Sequence, residues 1–161
     1  MIIIDGHNLI PHIDEIDLAD PEDEMRLINI LQEFCRLRRK TVEVYFDRAP
    51  VGSAGERSYG RVRAIFVSKS RTADEAIMAR LDRLDKRARN AQVVSSDRQV
   101  QQAARAAHAD VISSEAFAAL WDRLVKAEPA LDIRNRPLSE TELETWEKLF
   151  NQQDPSEDQD E

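Results

Sequence analysis

Residues 1–10 read MIIIDGHNLI: three isoleucines in a row, then aspartate, glycine, histidine and asparagine. A short unbroken apolar run closed by a turn signal has the pattern of a central parallel strand covered on both faces. In open parallel sheets, ligands sit beyond the carboxyl ends of the strands. Ile2–Asp5 is therefore predicted to be a strand, and Asp5 and Asn8 stand where a site is expected.

Working outward, four more strands are predicted: Val42–Asp47, Val62–Val67, Gln92–Ser95 and Asp110–Ile112. Helical patterns lie between them. Asp20-Pro21-Glu22-Asp23 offers a capping residue, a proline and first-turn acids, and opens a helix to about Arg39. Others are predicted over 73–89, 98–108 and 115–126, and the Ser139–Glu142 capping box opens a last one over 140–151. Strands alternating with helices imply an α/β fold on a parallel sheet. One connection departs from this: roughly 15 residues containing APVGSAGERSYG join the second and third strands without a helix pattern, a length usual for functional or mobile loops.

The 161 residues suit one domain with a sizeable core. No apolar run approaches the ~20 residues that span a bilayer, residues 1–10 lack a secretory pattern, and a lone cysteine forms no internal disulfide. Cys35 falls on the apolar stripe of Leu27, Ile30, Leu31 and Phe34 and is expected to be a buried thiol. A cytoplasmic protein, with no membrane partner, is the expectation. The net charge of −8 opposes a nucleic-acid partner at first sight, yet five of those charges lie in NQQDPSEDQDE, the last eleven residues. Residues 152–161 are expected to be a disordered acidic tail behind a domain of residues 1–151. Basic clusters remain at Arg36–Lys40 and over Arg57, Arg61, Arg63, Lys69 and Arg71.

The strand ends share a residue type. Asp5 closes the first strand, Asp47 the second and Asp97 the fourth, while the third leads through SKSRT into Ala73-Asp74-Glu75. Parallel strands would bring these acids to one edge, where like charges repel unless a cation sits among them. Oxygen donors without thiolates or paired histidines favour Mg²⁺ or Mn²⁺ over Zn²⁺. Such an ion suits hydrolysis of phosphodiesters. Each acid also has a plain local role: Thr72 to Glu75 is a capping box, Ser96 is expected to cap the helix after Asp97, and Asp47 has Arg48 and Arg71 as possible partners. His7 lacks a second histidine at ligand spacing and reads as a turn residue, and Trp121 and Trp146 as core.

Together, IIIDGHNLI, VYFDRAP, VSKSRTADEAI, VVSSDRQV and VISSEAF resemble, in order and spacing, the YacP-like branch of the NYN domain within the PIN-like nuclease group. The closing PLSETELETWEKLF resembles that branch's last helix. The resemblance implies a three-layer α/β/α sandwich with a mainly parallel sheet and a metal-dependent endoribonuclease. Some such proteins cut mRNA on the ribosome. By position it implies that Asp5, Asp74 and Asp97 bind metal, that Asp47 is an outer or supporting ligand, and that Asn8 orients a carboxylate, water or phosphate. The catalytic set is then Asp5, Asn8, Asp74 and Asp97, with Lys69, Arg71, Arg57, Tyr59, Arg61 and Arg98 to meet RNA. The rival from another class is a non-catalytic RNA- or ribosome-binding protein on the same fold. A phosphatase finds no support, since no Asp-x-Asp pair follows the first strand.

Overall fold

The computed structural model describes residues 1–17 and 19–127. The helix expected over 140–151, Trp146 and the acidic tail lie outside the described residues. The chain divides into two compact units, Met1–Trp121 and Asp122–Glu161. In the second, Lys126 pairs with Asp122 one helical turn earlier at 2.9 Å.

The first unit is built on six strands in the order β3-β4-β2-β1-β5-β6. They are β1 (Ile2–Asp5), β2 (Val42–Ala49), β3 (Gly55–Tyr59), β4 (Val62–Ser68), β5 (Gln92–Val94) and β6 (Asp110–Ile112). All pairs are parallel except β3 with β4. The helices are α1 (Gly6–Leu9), α2 (Asp23–Arg38), α3 (Ala73–Leu84), α4 (Arg98–Ala106) and α5 (Ser114–Ala127). The five predicted strands are all present, and β1, the run of isoleucines, is buried throughout between β2 and β5.

Strand alternation sends Ile3, Tyr45 and Val93 to one face, where they pack with Ile77 and Leu81 of α3 and Val100 and Ala104 of α4. Ile2, Ile4, Val42 and Val44 take the opposite face. There α2 buries Leu27, Ile28, Leu31, Phe34 and Cys35, and Phe34 meets Phe117 of α5 with ring centroids 4.9 Å apart. Each such side chain, fully buried, contributes about 1.5–3 kcal/mol. Cys35 is the buried thiol expected, pushed up to about 11 by burial. The result is the three-layer α/β/α arrangement. No described helix is long and apolar enough to cross a membrane.

Three local expectations are corrected. The long connection after β2 contains β3, which forms an antiparallel hairpin with β4 around Gly60 at φ 61°. Its sequence, GERSY, shows no alternation because Gly55–Ser58 are exposed at the sheet edge. Second, Asp20 does not cap α2. Its carboxylate takes the Glu22 N–H at 2.9 Å and its carbonyl the Asp23 N–H at 3.2 Å, a turn that delays the helix to Asp23. Third, α3 stops at Leu84, because Asp85 turns left-handed at φ 49° and Asp85–Asn90 continue as a 3-10 helix.

Candidate active site

The carboxyl ends of β1, β2 and β5 and the first turn of α3 face a cleft of about 540 Å³ lined by Asp5, His7, Asn8, Asp47, Arg48, Asp74 and Asp97. All four predicted carboxylates and Asn8 are thus brought together. Gly6 lets β1 pass straight into α1, although not by the flexible turn its identity suggested, since its φ is not positive. A Cβ at Gly6 would run into the Phe46 ring and stand 3.0 Å from the Tyr45 carbonyl oxygen. What this position needs is close packing between β1 and β2.

Asp5 is only 6% exposed. Burial, then a hydrogen bond with Asp74 and the charge of Asp74, push it up to about 7, against an opposing backbone hydrogen bond from Asn8. Asp74 is raised too, by burial and then by Asp97 and Asp47, while its hydrogen bond with Asp5 lowers it. Two carboxyls this close disfavour ionising together, and they titrate as a pair.

Asn8 is fixed on the other side. Its Oδ1 accepts from the Ser96 N–H at 2.8 Å and from Ser114 Oγ at 2.5 Å. Those two donors settle the amide's orientation and leave its NH₂ group for the cleft. Ser96 Oγ also accepts from the Ser114 N–H at 3.0 Å and donates to Glu115 at 2.7 Å. Buried Ser95 takes the Asp97 N–H at 3.1 Å. The SSD turn after β5 and the SSE turn after β6 are interlocked, with Asn8 as the link to β1. Asp97, and not Ser96 as the sequence suggested, caps α4: its Oδ1 accepts the Val100 N–H at 3.1 Å. Thr72 caps α3 as expected, accepting the Glu75 N–H at 3.1 Å, and Glu75 is exposed outside the cleft lining.

His7 is the residue that sequence spacing misjudged. Its Nδ1 meets Asp47 Oδ1 at 2.8 Å and its Nε2 meets Glu24 Oε2 at 2.9 Å. The hydrogen bond with Glu24, followed by that with Asp47, overcomes burial and pushes the imidazole up to about 9. Asp47 therefore pairs with an imidazolium, and not with Arg48 or Arg71. The only signal available was Glu24 in the first turn of the next helix, a residue that acid preference at helix starts already explained. Arg48 was missed as a lining residue. A register shift between Phe46 and Ala49 leaves it at φ 59°, a bulge of the kind found beside active sites.

The candidate RNA contacts scatter. Lys69 and Arg71 are exposed in the β4–α3 connection and Arg98 at the start of α4, beside the cleft residues Asp74 and Asp97. Arg57 lies on β3 with its guanidinium 4.9 Å above the Phe66 ring. Tyr59 and Arg61 sit at the β3–β4 turn beside the amino end of β2, the sheet edge opposite the cleft.

As a metal centre, the donor set is carboxylate oxygen, and the four acids gathered in one cleft leave negative charge that a cation would offset. That chemistry fits a hard divalent cation. The spacing is that of an open cleft: among the described residues no three Asp, Glu, His or Cys side chains form a ready cage.

The crystal structure of Rae1 (YacP) from Bacillus subtilis is similar to this chain at 24% identity, covering 97% of each chain with a TM-score of 0.64. The structure of its W164L mutant is similar at 25% identity, covering 89% of this chain and 90% of the other, with a TM-score of 0.63. No curated protein matches the chain. The YacP-like NYN domain matches over residues 2–151, which includes every residue lining the cleft. By that match the chain belongs to the YacP-like NYN domain family, whose PIN-like fold is that of RNA-directed nucleases generally served by divalent metals.

Proposed function

We propose that this protein is an Mg²⁺- or Mn²⁺-dependent endoribonuclease that hydrolyses RNA phosphodiesters at the four-carboxylate cleft. The observation that carries the reading is the convergence of Asp5, Asp47, Asp74 and Asp97, from four separate segments, on one open cleft in a chain of this family. Asp5, Asp74 and Asp97 would hold the cation. Once bound, it neutralises charge developing on the attacked phosphate and makes a water acidic enough to attack near neutral pH. The chain's own residues do the rest. The Asn8 NH₂ group donates to a phosphate oxygen, its carbonyl held by Ser96 and Ser114. Arg48 supplies a second donor at the cleft wall. Asp47, tied to His7, supports the site from outside and keeps a cation near the substrate's negative charge. The products carry 5′-phosphate and 3′-hydroxyl ends. The functional domain is residues 1–151, the substrate is mRNA met on the ribosome, and the compartment is the cytoplasm.

The test is cleavage of a labelled single-stranded RNA by wild type and Asp97→Asn, each with Mn²⁺, Mg²⁺ or EDTA, with and without ribosomes. Metal-dependent cutting by wild type alone supports the assignment. Equal traces in every lane would replace it with the non-catalytic binding protein.

A further inference from the structure

Between β2, β4 and α3 lies a second cavity, about 150 Å³, on the face of the sheet that α3 covers. Four arginines, Arg63, Arg71, Arg80 and Arg83, and two glutamates, Glu43 and Glu56, line it. The glutamates are already engaged. Glu43, 3% exposed, takes both arms of Arg80 at 2.9 and 2.8 Å, the Tyr45 hydroxyl at 3.0 Å and Arg63 at 3.4 Å. Arg63 also donates to Glu56 at 2.6 Å. Buried carboxylates need such compensation, so this part of the cluster is a rigid floor.

Arg71 and Arg83 have no such explanation. Both are exposed, and among the described residues neither pairs with a carboxylate. Arg71 reaches only the Glu75 carbonyl, at 3.4 Å. Two uncompensated guanidiniums therefore face one small cavity in a chain whose net charge is −8. Position adds to charge. Asp74 lies in the first turn of α3 at the cleft with Arg71 just ahead of the helix, and Arg83 follows nine residues beyond Asp74, about 14 Å along the axis. That is the length of roughly four nucleotides of a stacked strand. Planar guanidiniums on a fixed floor match a phosphate in shape and charge.

We infer that this cavity is a phosphate site of the RNA substrate, in which Arg71 at its cleft end and Arg83 at its far end hold the backbone within a few nucleotides of the bond held at the carboxylate cleft. The inference rests on the endoribonuclease reading above. It separates gripping from cutting: the cavity sets affinity and the cleft sets chemistry.

The experiment compares wild type, Arg71→Ala/Arg83→Ala and a charge-matched control, Arg87→Ala/Arg105→Ala, whose residues are exposed and outside the cavity. Binding of a labelled single-stranded RNA is read in EDTA by fluorescence anisotropy across a salt series. The cavity variant should bind about tenfold or more weakly. Its salt dependence should be shallower by about 0.7 in log–log slope per lost contact. The control should follow wild type. In Mn²⁺, the cavity variant should show a raised KM and an unchanged kcat. Should it bind and cut like wild type while wild-type cutting is metal-dependent, the inference falls and the nuclease reading stands. Should wild type neither bind nor cut RNA, the nuclease reading falls. Calorimetry with inorganic pyrophosphate then separates two failures of the RNA assignment: binding abolished by Arg71→Ala/Arg83→Ala marks a site for a smaller phosphate ester, and no binding marks no anion site.

Discussion

The Asp97 carboxylate serves the cleft and the start of α4 at once, so its substitutions separate chemistry from folding. Asn caps helices about as well as Asp, whereas Ala forfeits about 1 kcal/mol. Asp97→Asn should therefore abolish metal-dependent cleavage with little change in Tm, and Asp97→Ala should abolish it and also lower Tm. Wild-type cutting by Asp97→Asn would remove this residue from the site. Protonation gives a second handle. Asp5 is raised from 3.8 to about 7 in the folded protein, so it favours folding fully below pH 4 and loses that contribution as pH rises through 7. His7 is raised from 6.5 to about 9, so its contribution is complete below 6.5 and disappears as pH rises through 9. Denaturation in EDTA should show stability falling across both windows. Asp5→Asn should flatten the fall between pH 4 and 7, and His7→Gln the fall between 6.5 and 9. Profiles parallel to wild type would mean that neither group carries the charge interactions assigned to it.

Helices and strands differ in how openly the chain declares them, and the reason lies in burial. The run Ile2–Ile4 is read easily because a strand covered on both faces has no polar face to confuse the pattern. Asp5, Asp47 and Asp97 were found from their place at strand ends, and Asp74 from its place after one. Strand β3 stayed hidden because its residues face solvent and are held by backbone pairing to β4, which leaves no mark in hydropathy. His7 was hidden for another reason: its partners Asp47 and Glu24 are 40 and 17 residues away, so only the fold brings them together. The serine pairs in SSD and SSE are visible as letters, but their role is a contact between turns 18 residues apart. That contact is testable at the level of elements. Ser114→Ala removes one of two donors to Asn8 Oδ1 in a fully buried position and should cost about 1–3 kcal/mol through the unsatisfied carbonyl. It should also slow cleavage by loosening the Asn8 amide, and Ser114→Thr should restore the hydroxyl and part of the rate. Loss of stability with an unchanged kcat would confine Ser114 to a structural part.

For the whole molecule, the governing fact is that an acidic protein is being asked to approach a polyanion. The cleft contributes four carboxylates, and residues 152–161, beyond the family match, carry five more acids. Charges at that number repel RNA over a distance set by salt, about 10 Å at 0.1 M and about 3 Å at 1 M. Removing residues 152–161 takes the net charge from −8 to −3 without touching any residue of the cleft or the arginine cavity. The truncated protein should bind single-stranded RNA several-fold more tightly at 0.05 M salt, chiefly through faster association. The gain should shrink as salt rises and vanish near 1 M, while kcat at saturating RNA stays the same. Association rates measured by stopped flow across a salt series check this. An advantage that persists at high salt would mean that the tail occupies the RNA path by contact, and weaker binding on truncation would mean that the tail helps to hold the substrate or a basic partner beside it.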